Sequence, residues 1–410
     1  MKHIKYLFLF LLSINQITNL FAYKYLFLEN QTQETQNLSI IFQKQGESKL
    51  YSKNYSIQPG YREIVNEVDL STKQYYIIKH INFKNDKYKL EYVGKTKDIV
   101  AEFAIIDKES KHKKNFDERK QLETPVLFLI YNRSDYAEAV LHQIKKVRPK
   151  KLFIAADGPK NSPENIKKCE ETRKCILENL ANLGWECEVH IWLRENNLGC
   201  AKAISSAITW FFEHVESGII LEDDCVPNES FFDYCSVLLE KYKDDSRVMM
   251  IAGDSRIPPG TEFEFDYLFS SYIPVWGWAT WKRAWNFFDY DMKNWKNKKN
   301  ECLEKMNTTF NHTSITKYFS ECFANTSDGI TDSWAYRWIL SIILNKGLCV
   351  IPKKNLISNI GCYGHHGNGR SVNLFRQQSF LDSEKIEFRT NPQKDFDMET
   401  LIFKGRGLIR

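Results

Sequence analysis

Cysteine is missing from the first 168 residues; all ten lie between Cys169 and Cys362. None of them forms a Cys-x-x-Cys pair or a Cys/His spacing suited to zinc, so a zinc-stapled module is excluded. Neither Gly-x-x-x-x-Gly-Lys-Ser/Thr nor Gly-x-Gly-x-x-Gly occurs, which argues against a standard NTPase or dinucleotide site. Charge of one sign is also scarce. A formal net charge of +5 over 410 residues lacks the focused basic excess of a nucleic-acid binder. No long apolar run is present either: the stretch Tyr6 to Leu12 is followed by Asn15, Gln16, Thr18 and Asn19, well before the roughly 20 residues a membrane span needs. With its basic start and its more polar end near Ala22, segment 1–22 reads as a secretory signal peptide, with a signal-anchor as the alternative.

What is there suits a globular protein with 43% hydrophobic and 14% aromatic residues, long enough for one large domain and a smaller one. Acceptor sequences for N-glycosylation begin at Asn30, Asn37, Asn54, Asn228, Asn307, Asn311 and Asn325, which fits a secretory route through an ER or Golgi lumen, or secretion. The even cysteine count permits disulfides there. Small buried thiols are the plainer reading of Cys169, Cys175, Cys187, Cys200, Cys225 and Cys235.

Residues 23–107 carry short alternating runs separated by turns such as Gln58-Pro59-Gly60, the pattern of a small β-sandwich that serves as an accessory module or a spacer. Residues 108–123, polar and charged, make a linker. From Thr124 the rhythm changes to strand and helix in alternation: a buried run Val126 to Ile130, a helical face Tyr136, Val140, Ile144, Val147, then a strand ending at Asp157-Gly158-Pro159. Ser162-Pro163 opens the next helix as cap and first residue. Such alternation predicts an α/β domain over 124–370, a mostly parallel sheet flanked by helices, with 371–410 as a C-terminal tail. Ligands of open sheets bind at the carboxyl ends of the strands. Those ends hold Asn132 and Arg133, Asp157, the Glu195–Gly199 segment, Glu222-Asp223-Asp224, and Asp254.

The acid triplet follows the buried run Gly218-Ile-Ile-Leu221 with no base between. Carboxylates crowded at the end of a covered strand repel one another unless protons or a hard cation intervene, and oxygen ligands suit Mn²⁺ or Mg²⁺. A solvated acidic turn is the plainer reading of the triplet taken alone. Arg133 and the helix starting near Gly199 suit a diphosphate, with Lys202 in the first turn as helper or as a solvated surface lysine. Asp157 either accepts from a base or ribose or caps the turn before Pro159. Four tryptophans occur in the ten residues Trp276 to Trp285, and sugars bind to ring faces with a few directed hydrogen bonds. Trp281, Trp285 and Trp338 are expected in the core, whereas Trp276 and Trp278 flank Gly277, a residue that admits a ligand closely. A second aromatic segment, Asp332-Ser-Trp334-Ala-Tyr-Arg-Trp338, reads as a helix start capped by Thr331 or Asp332. The Gly361–Gly369 loop suits a lid whose His365 or His366 touches diphosphate or metal; surface histidines are the bland alternative.

In their order along the chain, the strand-end Asn-Arg, the Asp, LEDDCVPNESFF, WGWATWKRAW and DSWAYRW resemble GT-A-fold glycosyltransferases over about Thr124 to Arg370. They look most like bacterial hemolytic-protein-like transferases and, more distantly, the Golgi N-acetylglucosaminyltransferase I family. The resemblance implies an inverting hexosyl- or N-acetylhexosaminyl-transferase acting from a nucleotide-diphosphate sugar onto a hydroxyl of a glycan or glycoprotein. It places Asp224 on a divalent metal, Asp223 near the ribose, Glu222 facing the donor sugar, Asn132, Arg133 and Asp157 at the nucleotide, and Asp332 as catalytic base. Trp276, Trp278 and Trp334 would wall the acceptor side. Ser333 stands where the Golgi enzymes have a second acid, and Asp254 is a rival base. Two other classes stay open: a lectin-like glycan-binding protein without turnover, and another metal-dependent enzyme of nucleotide diphosphates.

Overall fold

The computed structural model describes strands between Tyr25 and Asp107, then residues 120–257 apart from 182, residues 261 and 264–361, and 386, 389, 391–405 and 407–409. The chain divides into two compact units, 1–115 with 378–380 and 116–377 with 381–410. Segment 1–22 and loop residues His365 and His366 lie outside the described residues, so the leader and lid readings have no structural counterpart here. Among the described residues no helix is long and apolar enough to cross a membrane.

In the first unit, alternating runs become eight strands: β1 (Tyr25–Asn30), β2 (Gln36–Lys44), β3 (Leu50–Ile57), β4 (Arg62–Val65), β5 (Val68–Asp69), β6 (Gln74–Phe83), β7 (Tyr88–Thr96) and β8 (Val100–Asp107). They form two four-stranded sheets, ordered β4-β1-β8-β7 and β3-β2-β6-β5. Tyr55 and Ile57 are buried while Asn54 and Ser56 are exposed, the period-two pattern of a strand with one covered face.

The second unit is a mixed α/β layer structure. Its strands β9 (Val126–Ile130), β10 (Lys151–Ala156), β11 (Glu188–Leu193), β12 (Ser217–Glu222), β14 (Val248–Ala252), β15 (Tyr267–Ser270), β16 (Trp278–Trp281) and β17 (Leu348–Pro352) form one eight-stranded sheet, ordered β11-β10-β9-β12-β16-β14-β17-β15. Helices α1 (Ser134–Val147), α2 (Pro163–Leu180) and α3 (Cys200–His214) connect β9 through β12, which run parallel. Ser162 does cap α2, its hydroxyl accepting from the Asn165 N–H at 3.2 Å.

Past β14 the sheet is mixed rather than mostly parallel: β17 still runs parallel to β14, but two strands run the other way. β16 pairs antiparallel with both β12 and β14, and β15 antiparallel with β17. Among the described residues no crossover helix lies between β14 and β16, so the chain returns without the right-handed loop that parallel neighbours require. The tryptophan-rich stretch expected as a ligand loop is thus partly a strand in the middle of the sheet.

Tryptophan also dominates the core below that strand. Trp278 lies 5.5 Å, ring centre to ring centre, from Trp334 on α9 (Trp334–Leu344), and Trp285 and Trp338 pack beside them. Nine cysteines fall among the described residues and none is in a disulfide, so the even count carries no covalent framework there. The acceptor sequence at Asn228 is likewise closed: Asn228 is buried, capping helix α4 (Glu229–Lys241) through Phe231 N–H.

Residues expected as a tail include a structural element. Helix α10 (Phe396–Gly405) buries Ile402 and Phe403 in the core, Phe403 against Tyr272 and Phe310. Its Glu399, 3% exposed, accepts from the Ser270 hydroxyl (2.7 Å) and from the Ser271 N–H (2.6 Å) and hydroxyl (2.7 Å), and pairs with Lys394. Three serine donors and a lysine left facing an alanine would lose their acceptor. Glu399→Ala is therefore expected to destabilise this unit by roughly 3–5 kcal/mol, read as a lower urea midpoint.

Candidate active site

Four strand ends place polar groups on one rim. At β9, Tyr131 donates its N–H to Asp223 Oδ2 (3.2 Å), and Arg133, the last residue before α1, reaches Asp223 and Asp224 together. The pair to Asp224 spans 3.0 Å. A guanidinium fork bridging two carboxylates is a strong, directional arrangement. Part of the countercharge that the triplet demands thus comes from the protein itself. Burial works against the Arg133 charge, but Asp223 and Asp224 more than offset it, and its pKa is raised. Asn132 sits half-buried in the same turn.

One guanidinium does not balance three acids. Burial first, then Asp224 and Asp223, push the Glu222 carboxyl from its ordinary 4.5 up to about 8; burial and Asp224 push Asp223 up to about 6 although Arg133 pulls it down. An acid whose folded pKa is raised holds a proton that the unfolded chain releases, so its contribution to stability fades as pH climbs from 4.5 toward 8. Glu222→Gln is expected to match the metal-free wild type near pH 5 and to exceed its melting temperature at pH 8, because the amide never ionises.

Asp224 is the most accessible of the two Arg133 partners, its side chain 17% exposed against 5% for Asp223. A small ribbon of β13 (Cys225–Pro227) and β18 (Ile357–Asn359) brings the late chain against it. Ile360 N–H donates to the Asp224 carbonyl at 2.8 Å, and Asn359 Nδ2 lies 3.5 Å from Asp224 Oδ1. A Cβ on Gly361 would fall 2.1 Å from Asp224 Oδ2, so only glycine fits there. Gly361, the first residue of the glycine-rich segment, accordingly lies beside the last acid of the triplet.

The loop before α3 is organised by two further acids. Asp157 receives the N–H groups of Gly158 (2.9 Å), Leu198 (3.0 Å) and Gly199 (3.2 Å) and the Asn197 amide (2.8 Å). Asp332 accepts from the Ala201 N–H at 3.2 Å, in the first turn of α3. Gly199 has φ +79°, and a Cβ there would stand 2.7 Å from Asp332 Oδ2. The amides expected to hold a diphosphate at this helix start are hence occupied by the protein's own carboxylates, and Asp157 acts as the cap of both its own turn and the neighbouring loop. Lys202 is exposed on the first turn. Ser333, rather than Thr331 or Asp332, caps α9, accepting from Tyr336 N–H at 3.3 Å. A hydroxyl at that position serves the helix, which leaves Asp332 exposed and available.

Cys200 ties these groups together. Its thiol has an exposed edge, yet the protein packed around it and then Glu222, Asp332, Asp157 and Asp224 push its pKa up to about 12. Acids from two strand ends, those of β10 and β12, and from the start of α9 therefore surround one point of the rim. Nothing in the Cys200 spacing announces this; only the fold does.

Aromatic walls are fewer than expected. Trp278 is 1% and Trp334 3% exposed, and both belong to the core, so neither offers a face to a ligand. Gly277, at φ +58°, makes room for Ile357, whose Cδ1 would be 2.4 Å from an added Cβ; it does not open space for a ligand. Trp276 remains half-buried at the surface. The registers Ile220↔Trp278 and Ala252↔Trp278, continued two residues, set Trp276 alongside Glu222 and Asp254. Arg256 stacks 4.0 Å from the Trp276 ring centre and pairs with Asp254 at 2.7 Å, both side chains at most 3% exposed. Committed to that buried pair, Asp254 is poorly placed to act as a base.

Among the described residues no group of three or more His, Cys, Asp or Glu surrounds a single metal position. The donor set still suits a hard ion that takes one or two carboxylates from protein and the rest from phosphate oxygens and water, which is how Mg²⁺-type sites are built. Asp224 would be the protein ligand. A cavity of about 560 Å³ lies elsewhere, at the Lys241–Arg247 turn with Arg389 and Pro392, and contains none of these acids.

No family model matches the chain, and no curated protein does. Among solved structures the chain is similar to HddC from Yersinia pseudotuberculosis, with 8% identity over 39% of this chain and 77% of HddC and a TM-score of 0.25, a level that carries no functional argument.

Proposed function

We propose that the second unit is a GT-A-type inverting glycosyltransferase that moves a sugar from a nucleotide-diphosphate donor to a hydroxyl acceptor on a glycan or glycoprotein. The observation that carries this reading is that Asp224 and Asp332 both stand at the carboxyl edge of the parallel strands, Asp224 just past β12 and Asp332 hydrogen-bonded to the Ala201 N–H at the start of α3, the helix that follows β11. Such a pairing supplies a metal ligand and an accessible carboxylate on one rim. A divalent ion, Mn²⁺ or Mg²⁺, held at Asp224 would neutralise charge on the leaving diphosphate. Asp332 takes the proton from the acceptor hydroxyl as its oxygen bonds to the anomeric carbon. The bond from that carbon to the diphosphate oxygen breaks, and the diphosphate leaves with the electron pair. Attack from the face opposite the leaving group inverts the configuration.

Trp276 is taken as the sugar-facing wall, backed by Arg256. The N-terminal sheets are taken as a β-sandwich accessory module, and the chain as a protein of the secretory route. The test is incubation of the purified protein with a panel of nucleotide sugars, measuring nucleotide release with Mn²⁺ and with EDTA. Metal-dependent release from one donor class supports the transferase. Release of inorganic phosphate instead supports a diphosphate-hydrolysing enzyme, and glycan binding without release supports the lectin-like alternative.

A further inference from the structure

Arg133 stands in two relations that pull against each other. It bridges Asp223 and Asp224, yet Asp224 is the carboxylate assigned to the metal. A guanidinium and a divalent cation cannot both sit at close range on that one carboxylate oxygen. Like unit charges a few ångströms apart in a half-buried site repel by about 1–4 kcal/mol, so the guanidinium on Asp224 Oδ2 and a divalent ion on the same carboxylate weaken each other and compete. The side chain is free to shift toward solvent: it is 37% exposed, and its guanidinium already lies 5.2 Å over the Tyr136 ring while it pairs with the two acids.

We infer that Arg133 is an exchangeable counter-cation, which closes the Asp223–Asp224 pair in the metal-free protein and is transferred to diphosphate oxygens when ion and diphosphate bind together. The inference rests on the reading of Asp224 as metal ligand. Its consequence is coupled binding. A divalent ion arriving alone must take Asp224 from Arg133 and leave the guanidinium only Asp223, whereas an ion arriving with a diphosphate gives it new acceptors. The chain would then bind Mn²⁺ weakly and Mn²⁺ with a diphosphate strongly, keeping the ion from occupying the site unproductively.

The experiment titrates Mn²⁺ into the full, EDTA-stripped chain, following free Mn²⁺ by electron paramagnetic resonance, with and without inorganic pyrophosphate and correcting for the Mn²⁺–pyrophosphate complex. Arg133→Gln is expected to bind Mn²⁺ alone about tenfold or more tightly than wild type, and to gain less than wild type from pyrophosphate. Arg133→Lys, with one charge but no fork, is expected between them, and serves if the Gln variant does not fold. Asp224→Asn is the control for the underlying reading. If Asp224→Asn loses Mn²⁺ but neither Arg133 variant binds it more tightly than wild type, exchange is wrong while the metal reading survives. If Mn²⁺ binding is absent, or indifferent to Asp224→Asn, with pyrophosphate present, the metal reading fails and the exchange with it.

Discussion

Asp332→Asn is expected to keep nucleotide-sugar binding and lower transfer by about 10²–10⁴-fold, the usual contribution of a positioned general base. The substitution is informative because its structural cost is small. Asp332 is exposed and makes one structural contact, accepting the Ala201 N–H, and an asparagine carbonyl accepts the same bond. Fold and helix start should therefore persist while the proton acceptor is lost. Donor binding by calorimetry and transfer by product formation separate the two effects. Equal transfer by wild type and Asp332→Asn would move the base elsewhere, and the buried pairing of Asp254 with Arg256 makes that residue a poor successor.

For Asp224→Ala the expected loss falls on binding. Residues that merely support metal ligands contribute about 10–100-fold to affinity, so removing the ligand itself should weaken metal-dependent donor binding by roughly 100-fold or more. Metal-independent binding of the nucleotide should be less affected. Arg133 retains Asp223 as a partner in the variant, which limits the damage to the fold. An Asp224→Ala protein that binds donor with unchanged Mn²⁺ dependence would remove the ion from this site.

These two acids differ in how they were legible. Asp224 stands out locally: a covered strand that ends in three acids is conspicuous whatever surrounds it. Asp332 is conspicuous only through its neighbours and a family likeness. That it caps the first turn of α3, a helix 131 positions earlier in the chain, is a long-range fact. Cys200 and Asn359 carry no local signal at all, because a lone thiol and an amide become part of a site only through what packs against them. Tryptophan misled in the opposite direction. A dense aromatic run suggests ring faces for sugars, but in β16 alternate residues point to opposite sides of a sheet covered on both faces, so Trp278 and Trp281 are both buried.

Periodicity by itself determined the alternating strands of the first unit, the parallel β9 to β12 run with its helices, and the acids at the strand ends, since these depend on the nearest few residues along the chain. The tertiary structure alone decided the antiparallel insertion of β16, the burial of α10, the loss of Trp278 and Trp334 to the core, and the meeting of Asp224 with Arg133. Pairing direction and charge neutralisation depend on partners distant in sequence, and a local pattern contains no record of which partner arrives.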